Sequence, residues 1–235
     1  MDKQKLIKWT GFFGLIGGLL LLLEIPLWII PGDAGPIGNA EVHSNFLNKI
    51  NTIAFTRIII DILMYMCWMV LFIGLRQLII FKNKEYEWIG TLSLAAGVVW
   101  WSVSLVADGL EGAAVLLSME EYVNVESVKT LVYATLLIYN GSIAFAVTGL
   151  YMAIAGYAIL ATKILPGWIG WFSWFGFITC ILAIPAMYGG KTDTYGFYNV
   201  AGWGPTIVAN IPPLIWIFAV SIKMIQKGKN GLFDS

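Results

Sequence analysis

Long apolar runs separated by short polar stretches dominate this chain. Six runs are long enough to cross about 30 Å of hydrocarbon as helices that rise about 1.5 Å per residue. They cover residues 9–31, 51–80, 88–117, 129–161, 166–188 and 203–225. The fourth run exceeds what a bilayer needs, so we expect it to tilt or to project beyond one surface. The pattern predicts an all-α integral membrane protein with six transmembrane helices and one domain over residues 1–235.

Composition supports this class and excludes others. Hydrophobic residues make up 59% of the chain and charged residues 12%, against about 25% charged in a soluble domain. The formal net charge is zero, so nothing suggests a nucleic-acid partner. Cys67 and Cys180 both fall inside apolar runs, where we expect buried thiols and not a disulfide or metal pair.

The basic residues predict an orientation. Most of them flank one set of helix ends; they are Lys3, Lys5, Lys8, Arg76, Lys82, Lys84, Lys163, Lys223, Lys227 and Lys229. The opposite loops hold Lys49, Lys129 and Lys191. Loops rich in lysine and arginine stay cytoplasmic, so we expect a multi-pass cell-membrane protein with both termini in the cytoplasm.

Acids at the outer ends of the first three spans form the candidate site. Glu24 belongs to span one, Asp61 to span two, and Asp108 and Glu111 to span three; Arg57 lies one turn from Asp61. An ionisable side chain in this setting costs roughly 2.5–3.5 kcal/mol even on the insertion scale. Helix rise places Glu24 and Asp61 both about 22 Å from the inner boundary. Three helices therefore deliver carboxylates to one depth.

Each of these residues also has a structural interpretation. Arg57 could anchor its helix by extending to the interface, and Asp61, at i+4, could simply neutralise it. Asp108 and Glu111 could be ordinary wetted residues at a helix end. Glu24 is the hardest to explain structurally, because an unbroken leucine run precedes it and Ile-Pro follows it.

Span six is expected to add backbone to the site. Pro205, Pro212 and Pro213 interrupt it, with Asn210 beside them. Proline frees the carbonyl four residues earlier, and broken helices often line binding sites in membranes. We expect Glu24 to meet Asp61 near Asn210. The alternative is a packed kink whose carbonyls are satisfied locally.

A Trp-x-Gly pattern recurs at the start of alternate spans. It begins at Trp9, Trp88 and Trp168. Such a spacing would fit three tandem parallel helical hairpins. Convergence explains it equally well, because tryptophan favours the interface and glycine favours helix contacts.

Familiar cofactor and enzyme motifs do not occur in the sequence. There is no zinc motif, dinucleotide fingerprint, Walker loop or nucleophile elbow, and the lone His43 falls in the first outer loop. We therefore expect neither a metal nor a cofactor, and we assign no catalytic residue.

Several loose motifs resemble a known family. These are Lys8 and Trp9 followed by Gly11, Arg57 in the second span, the run from Leu165 to Gly170, and a short basic tail. Together they resemble an uncharacterised family of prokaryotic six-helix membrane proteins that carry a domain of unknown function. The resemblance implies this architecture and no activity.

Two classes of function fit the acids. The first is binding or transport of a small cationic or protonatable solute, since four acids and one arginine give a formal charge of −3. Aromatic rings could add cation–π contacts; the candidates are Trp28, Trp100, Trp101, Tyr188 and Trp203. The second is an intramembrane enzyme that uses the carboxylates on a metal or as acid and base, assisted by His43. A structural subunit of a larger complex, or an oligomer in the lipid bilayer, is a third alternative.

Overall fold

The computed structural model describes residues 2–32, 39–139, 142–189, 197–200 and 202–230. These ranges contain helices and no strand. The α-helices are α1 (Lys3–Ile29), α2 (Ala40–Lys49), α3 (Asn51–Lys82), α4 (Glu87–Ser118), α5 (Val125–Tyr139), α6 (Ser142–Thr162), α7 (Gly167–Ala183) and α8 (Trp203–Asn230). Short 3-10 segments run over Lys84–Tyr86 and Ile184–Gly189. Lys191, used above to orient the chain, lies outside the described residues.

In the described part of the chain, six helical segments are long and apolar enough to cross a membrane, which confirms the predicted number of long apolar helices. The fourth covers Val125–Thr162 and consists of α5 and α6, on either side of residues 140–141. At 38 residues it is the longest of the six, as its apolar run suggested. The other five spans correspond to α1, α3, α4, α7 and α8.

Helix α2 lies in the stretch that the sequence analysis treated as an outer loop. Asn39 caps its first turn, since its side-chain oxygen accepts from the Val42 amide at 3.2 Å. Capping of this kind satisfies one of the amides that the first turn of a helix leaves free. The sequence features that indicate this helix are therefore the capping residue Asn39 and ten amphipathic residues, which are too few to span a membrane.

The spans pack in chain order around a closed ring. Helix α1 packs on α3, α3 on α4, α4 on α5 and α6, α6 on α7, and α7 on α8. Helices α8 and α1 close the ring. They approach closely because α1 presents glycines there: a Cβ at Gly11 would meet the Ser221 carbonyl oxygen at 2.7 Å.

The two ends of the bundle differ. Gly228 of α8 lies against Gln4 and Lys8 of α1, and the Lys3 ammonium lies over the Phe81 ring at the end of α3. We call this the terminal end. Helix α2 lies at the opposite end, which we call the α2 end.

An aromatic core fills the middle of the ring. Its rings come from α3 (Trp68, Phe72), α4 (Trp100, Trp101), α6 (Tyr151) and α8 (Trp216). The Phe72 ring stacks between Trp101 and Tyr151, at centroid distances of 4.7 and 4.3 Å. This aromatic core ties four spans together.

Candidate functional site

The predicted acids and arginine do converge, between α1, α3 and α4. Glu24 and Asp108 are each 3% exposed, Arg57 is 3% exposed and Asp61 is 6% exposed. The Glu111 side chain is 14% exposed. We call these five residues the carboxyl cluster. The prediction that Glu24 and Asp61 face the interior of the bundle is confirmed.

Arg57 of α3 links its own helix to both α1 and α4. Its guanidinium donates to Glu111 of α4, and its Nε lies 4.0 Å from Oε1 of Glu24 on α1. The Trp28 ring covers the guanidinium, with 3.4 Å between the guanidinium carbon and the ring centroid. The same indole donates its N–H to Glu24 at 2.6 Å. Trp28 thus holds both members of a buried ion pair.

The partner of Arg57 differs from the one that helix spacing suggested. Asp61 lies at i+4 on the same helix, but within the described residues Arg57 forms its ion pairs with Glu111 and Glu24. Both carboxylates come from neighbouring helices that flank the guanidinium. Spacing along one helix could not show that partners from other helices would occupy the arginine.

Asp61 lies instead among carboxyl groups. Its side chain is within hydrogen-bonding reach of both Glu24 and Asp108. An ionised carboxylate only accepts hydrogen bonds, so two carboxyl groups bond to each other only when one carries a proton. The contacts of Asp61 therefore require shared protons or a cation.

Tyrosines extend the cluster towards the terminal end. Tyr139 of α5 donates its hydroxyl to Oδ1 of Asp108. Oδ2 of Asp108 is buried and accepts from no hydroxyl or N–H group in the described part of the chain, which leaves the neighbouring Asp61 carboxyl as its one polar contact there. Tyr65 lies within hydrogen-bonding reach of Tyr139 and Ser104. The sequence analysis missed both tyrosines, although Tyr65 lies at i+4 from Asp61 and so shares its helix face.

Asn210 does not belong to the site. It lies on the exposed face of α8, and its buried neighbour is Ala209. Helix α8 packs on α1 and α7, away from α3 and α4. The expectation that Glu24 and Asp61 meet near Asn210 is wrong, because the ring of spans places α8 on the far side of α1.

A carbonyl group that the prolines of α8 leave without a helical donor accepts a hydrogen bond from the neighbouring helix α7. Pro213 has no amide, so it leaves the Ala209 carbonyl without its helical donor. The buried Cys180 thiol of α7 donates to that carbonyl, at 3.6 Å from sulfur to oxygen. The packed-kink alternative therefore describes this carbonyl, and Cys180 has a structural role that its position in an apolar run did not reveal.

The predicted cation–π rings divide between several locations. Trp28 covers Arg57, while Trp100 and Trp101 belong to the aromatic core. Tyr188 is 81% exposed and Trp203 is 54% exposed, so neither faces the carboxyl cluster. The prediction that these five rings could surround the site is therefore wrong for four of them, because a residue's position along a helix does not fix the direction of its side chain.

Nearby apolar residues separate the carboxyl cluster from the α2 end. Leu47, Ala54, Ala114, Val115 and Val128 form a buried layer there, contributed by α2, α3, α4 and α5. We call it the cap layer. The aromatic core lies towards the terminal end. The carboxyl cluster is thus enclosed between an apolar layer and an aromatic one.

The side chains of the carboxyl cluster bond mainly to one another and to neighbouring aromatic residues. Among the described residues, no group of three or more His, Cys, Asp and Glu side chains is arranged to hold a metal. His43 lies in α2, and the cluster acids are largely occupied by one another, by Arg57, by Trp28 and by Tyr139.

Comparison of the chain with family models, curated proteins and solved structures finds no match.

Proposed function

We propose that this chain is a multi-pass cell-membrane protein that binds a small cationic or protonatable solute at the carboxyl cluster and transports it in exchange for protons. We infer an orientation with the α2 end outside and both termini in the cytoplasm. The lysine-rich ends of α1, α3 and α8 support that orientation. The large apolar side chains that are exposed on the outer faces of the spans fit contact with the hydrocarbon of a lipid bilayer.

One observation carries the proposal: Asp61 lies within hydrogen-bonding reach of the carboxyl groups of Glu24 and Asp108, while the neighbouring arginine pairs with Glu111 and Glu24 and not with Asp61. Four acids and one guanidinium give a formal charge of −3 if all the acids ionise. Such a charge in an enclosed site must be compensated by protons or by a cation. The carboxyl cluster can therefore release protons when a cation binds and take up protons when the cation leaves.

The exchange has a simple chemical form. With no solute bound, protons bridge Asp61 to its neighbouring carboxyls. A cation that enters beside Asp108 stabilises the ionised carboxylates, and the bridging protons leave. Arg57 and Glu111 stay paired in both states, so they keep α3 and α4 in register while the Asp61 side of the cluster changes its charge.

The test measures proton release when cations bind. Purified protein in lipid nanodiscs, in weak buffer with a pH-sensitive dye, is titrated with methylammonium, choline and putrescine in parallel with calorimetry. We expect wild type to bind at least one probe and to release protons. Asp61→Asn and Asp108→Asn should lose both signals.

Glu126→Gln is the matched control. Glu126 is an exposed acid of α5 that pairs with Lys129 at 3.3 Å, so its loss should leave both signals unchanged. If no probe binds and wild type takes up and releases the same protons as Asp108→Asn, the proposal is wrong. The carboxyl cluster would then be a structural clamp, as in a subunit of a larger membrane complex.

A further inference from the structure

Helix α2 packs on the bundle through one face, at the end of the bundle beyond the cap layer. Its buried residues are Ala40, His43, Ser44 and Leu47, which recur at the i, i+3, i+4 and i+7 spacing of a single helical stripe. That stripe packs mainly on α4 and α5. The opposite face of α2 is exposed. A ten-residue helix held by one narrow stripe is weakly attached compared with the spans beneath it.

The cap layer, to which Leu47 of α2 belongs, begins about one helical turn from the ion pair of Arg57 and Glu111. Ala54 precedes Arg57 by three residues on α3, and Ala114 follows Glu111 by three residues on α4. Each offset is about 4.5 Å at 1.5 Å per residue. Only one apolar layer therefore separates the carboxyl cluster from the α2 end.

The opposite boundary is much thicker. On α3 the aromatic core extends from Trp68 to Phe72, which are 7 and 11 residues beyond Asp61. Its rings stack on one another across four helices. Displacing α2 is thus the smaller of the two rearrangements that could open the cluster.

His43 is the weak point of the α2 stripe. It is 7% exposed, and its Nδ1 is buried without a hydrogen-bond partner among the described residues. Burial lowers the pKa of this imidazole from its ordinary value of 6.5. A protonated ring there would be a buried cation with no compensating charge.

Among the described residues, no charged group is found to offset that cost. Helix α2 itself carries Glu41 and Lys49. The helices packed on it, α3, α4 and α5, carry Arg57, Asp61, Asp108, Glu111, Glu126, Lys129 and Tyr133 in their halves towards the α2 end, and Glu120 and Glu121 lie between α4 and α5. Burial is the one cause that shifts the His43 pKa. Arg57 pairs with Glu111, and Glu126 pairs with Lys129.

We propose that α2 is a lid over the carboxyl cluster and that protonation of His43 releases it. This inference rests on the proposed function, because it describes how solute reaches that site. Acid outside would open the lid, and neutral pH would hold it closed.

The sign of the pH effect follows from the two states of α2. The imidazole has its ordinary pKa near 6.5 when α2 is lifted and a lower pKa when α2 is seated. The seated state therefore loses stability as the pH falls below about 6.5, and the loss is complete once the pH passes below the lowered pKa. Above 6.5 the histidine is neutral in both states and has no effect.

The experiment measures the position of α2 directly. Spin labels are attached to cysteines at Val42, 45% exposed on α2, and Tyr122, 88% exposed before α5, in a Cys67→Ala, Cys180→Ser background. Distances are measured by pulsed EPR in nanodiscs at pH 8 and pH 5. We expect one short distance at pH 8, and a longer distance as the majority population at pH 5.

Two variants remove the charge without removing the lid. His43→Phe keeps an aromatic ring and His43→Gln keeps a polar side chain, so both should show the short distance at both pH values. Ser44→Ala, on the same buried stripe, should respond as wild type does. An unchanged wild-type distance at pH 5, or a pH response that survives in both His43 variants, would overturn the proposal. Proton release on cation binding is measured separately, so a static lid would leave the proposed function standing.

Discussion

Two glycines of α4 should respond in opposite ways to the same substitution. A Cβ at Gly97 would meet Phe72, with Cε2 at 2.8 Å and Cδ2 closer still, whereas a Cβ at Gly109 has no heavy atom within 4 Å. The Phe72 ring cannot swing aside, because Trp101 and Tyr151 hold its two faces. We expect Gly97→Ala to destabilise the protein and Gly109→Ala to stabilise it.

The magnitudes follow from packing and backbone entropy. Overpacking a well-filled core costs about 1–3 kcal/mol, and replacing a helical glycine by alanine returns about 0.5–1 kcal/mol. Gly97→Ala should therefore lose roughly 0.5–2 kcal/mol, while Gly109→Ala should gain up to about 1 kcal/mol.

The free energy of unfolding is measured by titrating micellar protein with SDS and following tryptophan fluorescence. Circular dichroism checks that both variants keep wild-type helix content. Gly109→Ala serves as the internal reference, because it makes the same chemical change on the same helix. If Gly97→Ala is as stable as Gly109→Ala, the aromatic core does not close against α4 as described.

Two further predictions concern single hydrogen bonds. Trp28→Phe keeps a ring over Arg57 but loses the N–H donated to Glu24, so the free energy of unfolding should fall by about 1–2 kcal/mol. Trp28→Leu also removes the cation–π contact, so its free energy of unfolding should fall by about 1 kcal/mol more. Both variants are measured by the same SDS titration. Cys180→Ala leaves the Ala209 carbonyl without its donor and should cost about 1–2 kcal/mol, whereas Cys180→Ser should cost less. Equal stability of the alanine and serine variants would show that the thiol only fills space.

The sequence predicted the depth of the site well and its lateral arrangement poorly. Glu24, Asp61 and Asp108 meet because helix rise fixes how far along a span each residue lies. Asn210 has a comparable height but faces outward from α8. Which spans are neighbours depends on helix packing, which hydropathy does not encode.

The sequence also did not predict which side chains from other helices bond to the residues of the carboxyl cluster. The i+4 rule paired Arg57 with Asp61, but Glu111 of α4 occupies the guanidinium. Tyr139, which donates to Asp108, looked like any aromatic residue near the end of a span. Helix α2 has only ten residues and is amphipathic, so it leaves no apolar run long enough to cross a bilayer and is not predicted from hydropathy.

The contact between α1 and α8 has a consequence for the order in which the protein assembles. Helix α1 is synthesised before α8, and within the described bundle its glycine face has α3 as its partner until α8 has emerged. Contacts between such distant parts of a chain form late, since they close the largest loop. During synthesis the bundle is thus an open arc, with the glycine edge of α1 available to other small-residue helices in the same membrane. A chain shortened before Trp203 would keep that glycine edge exposed, because α8 would not be present to cover it.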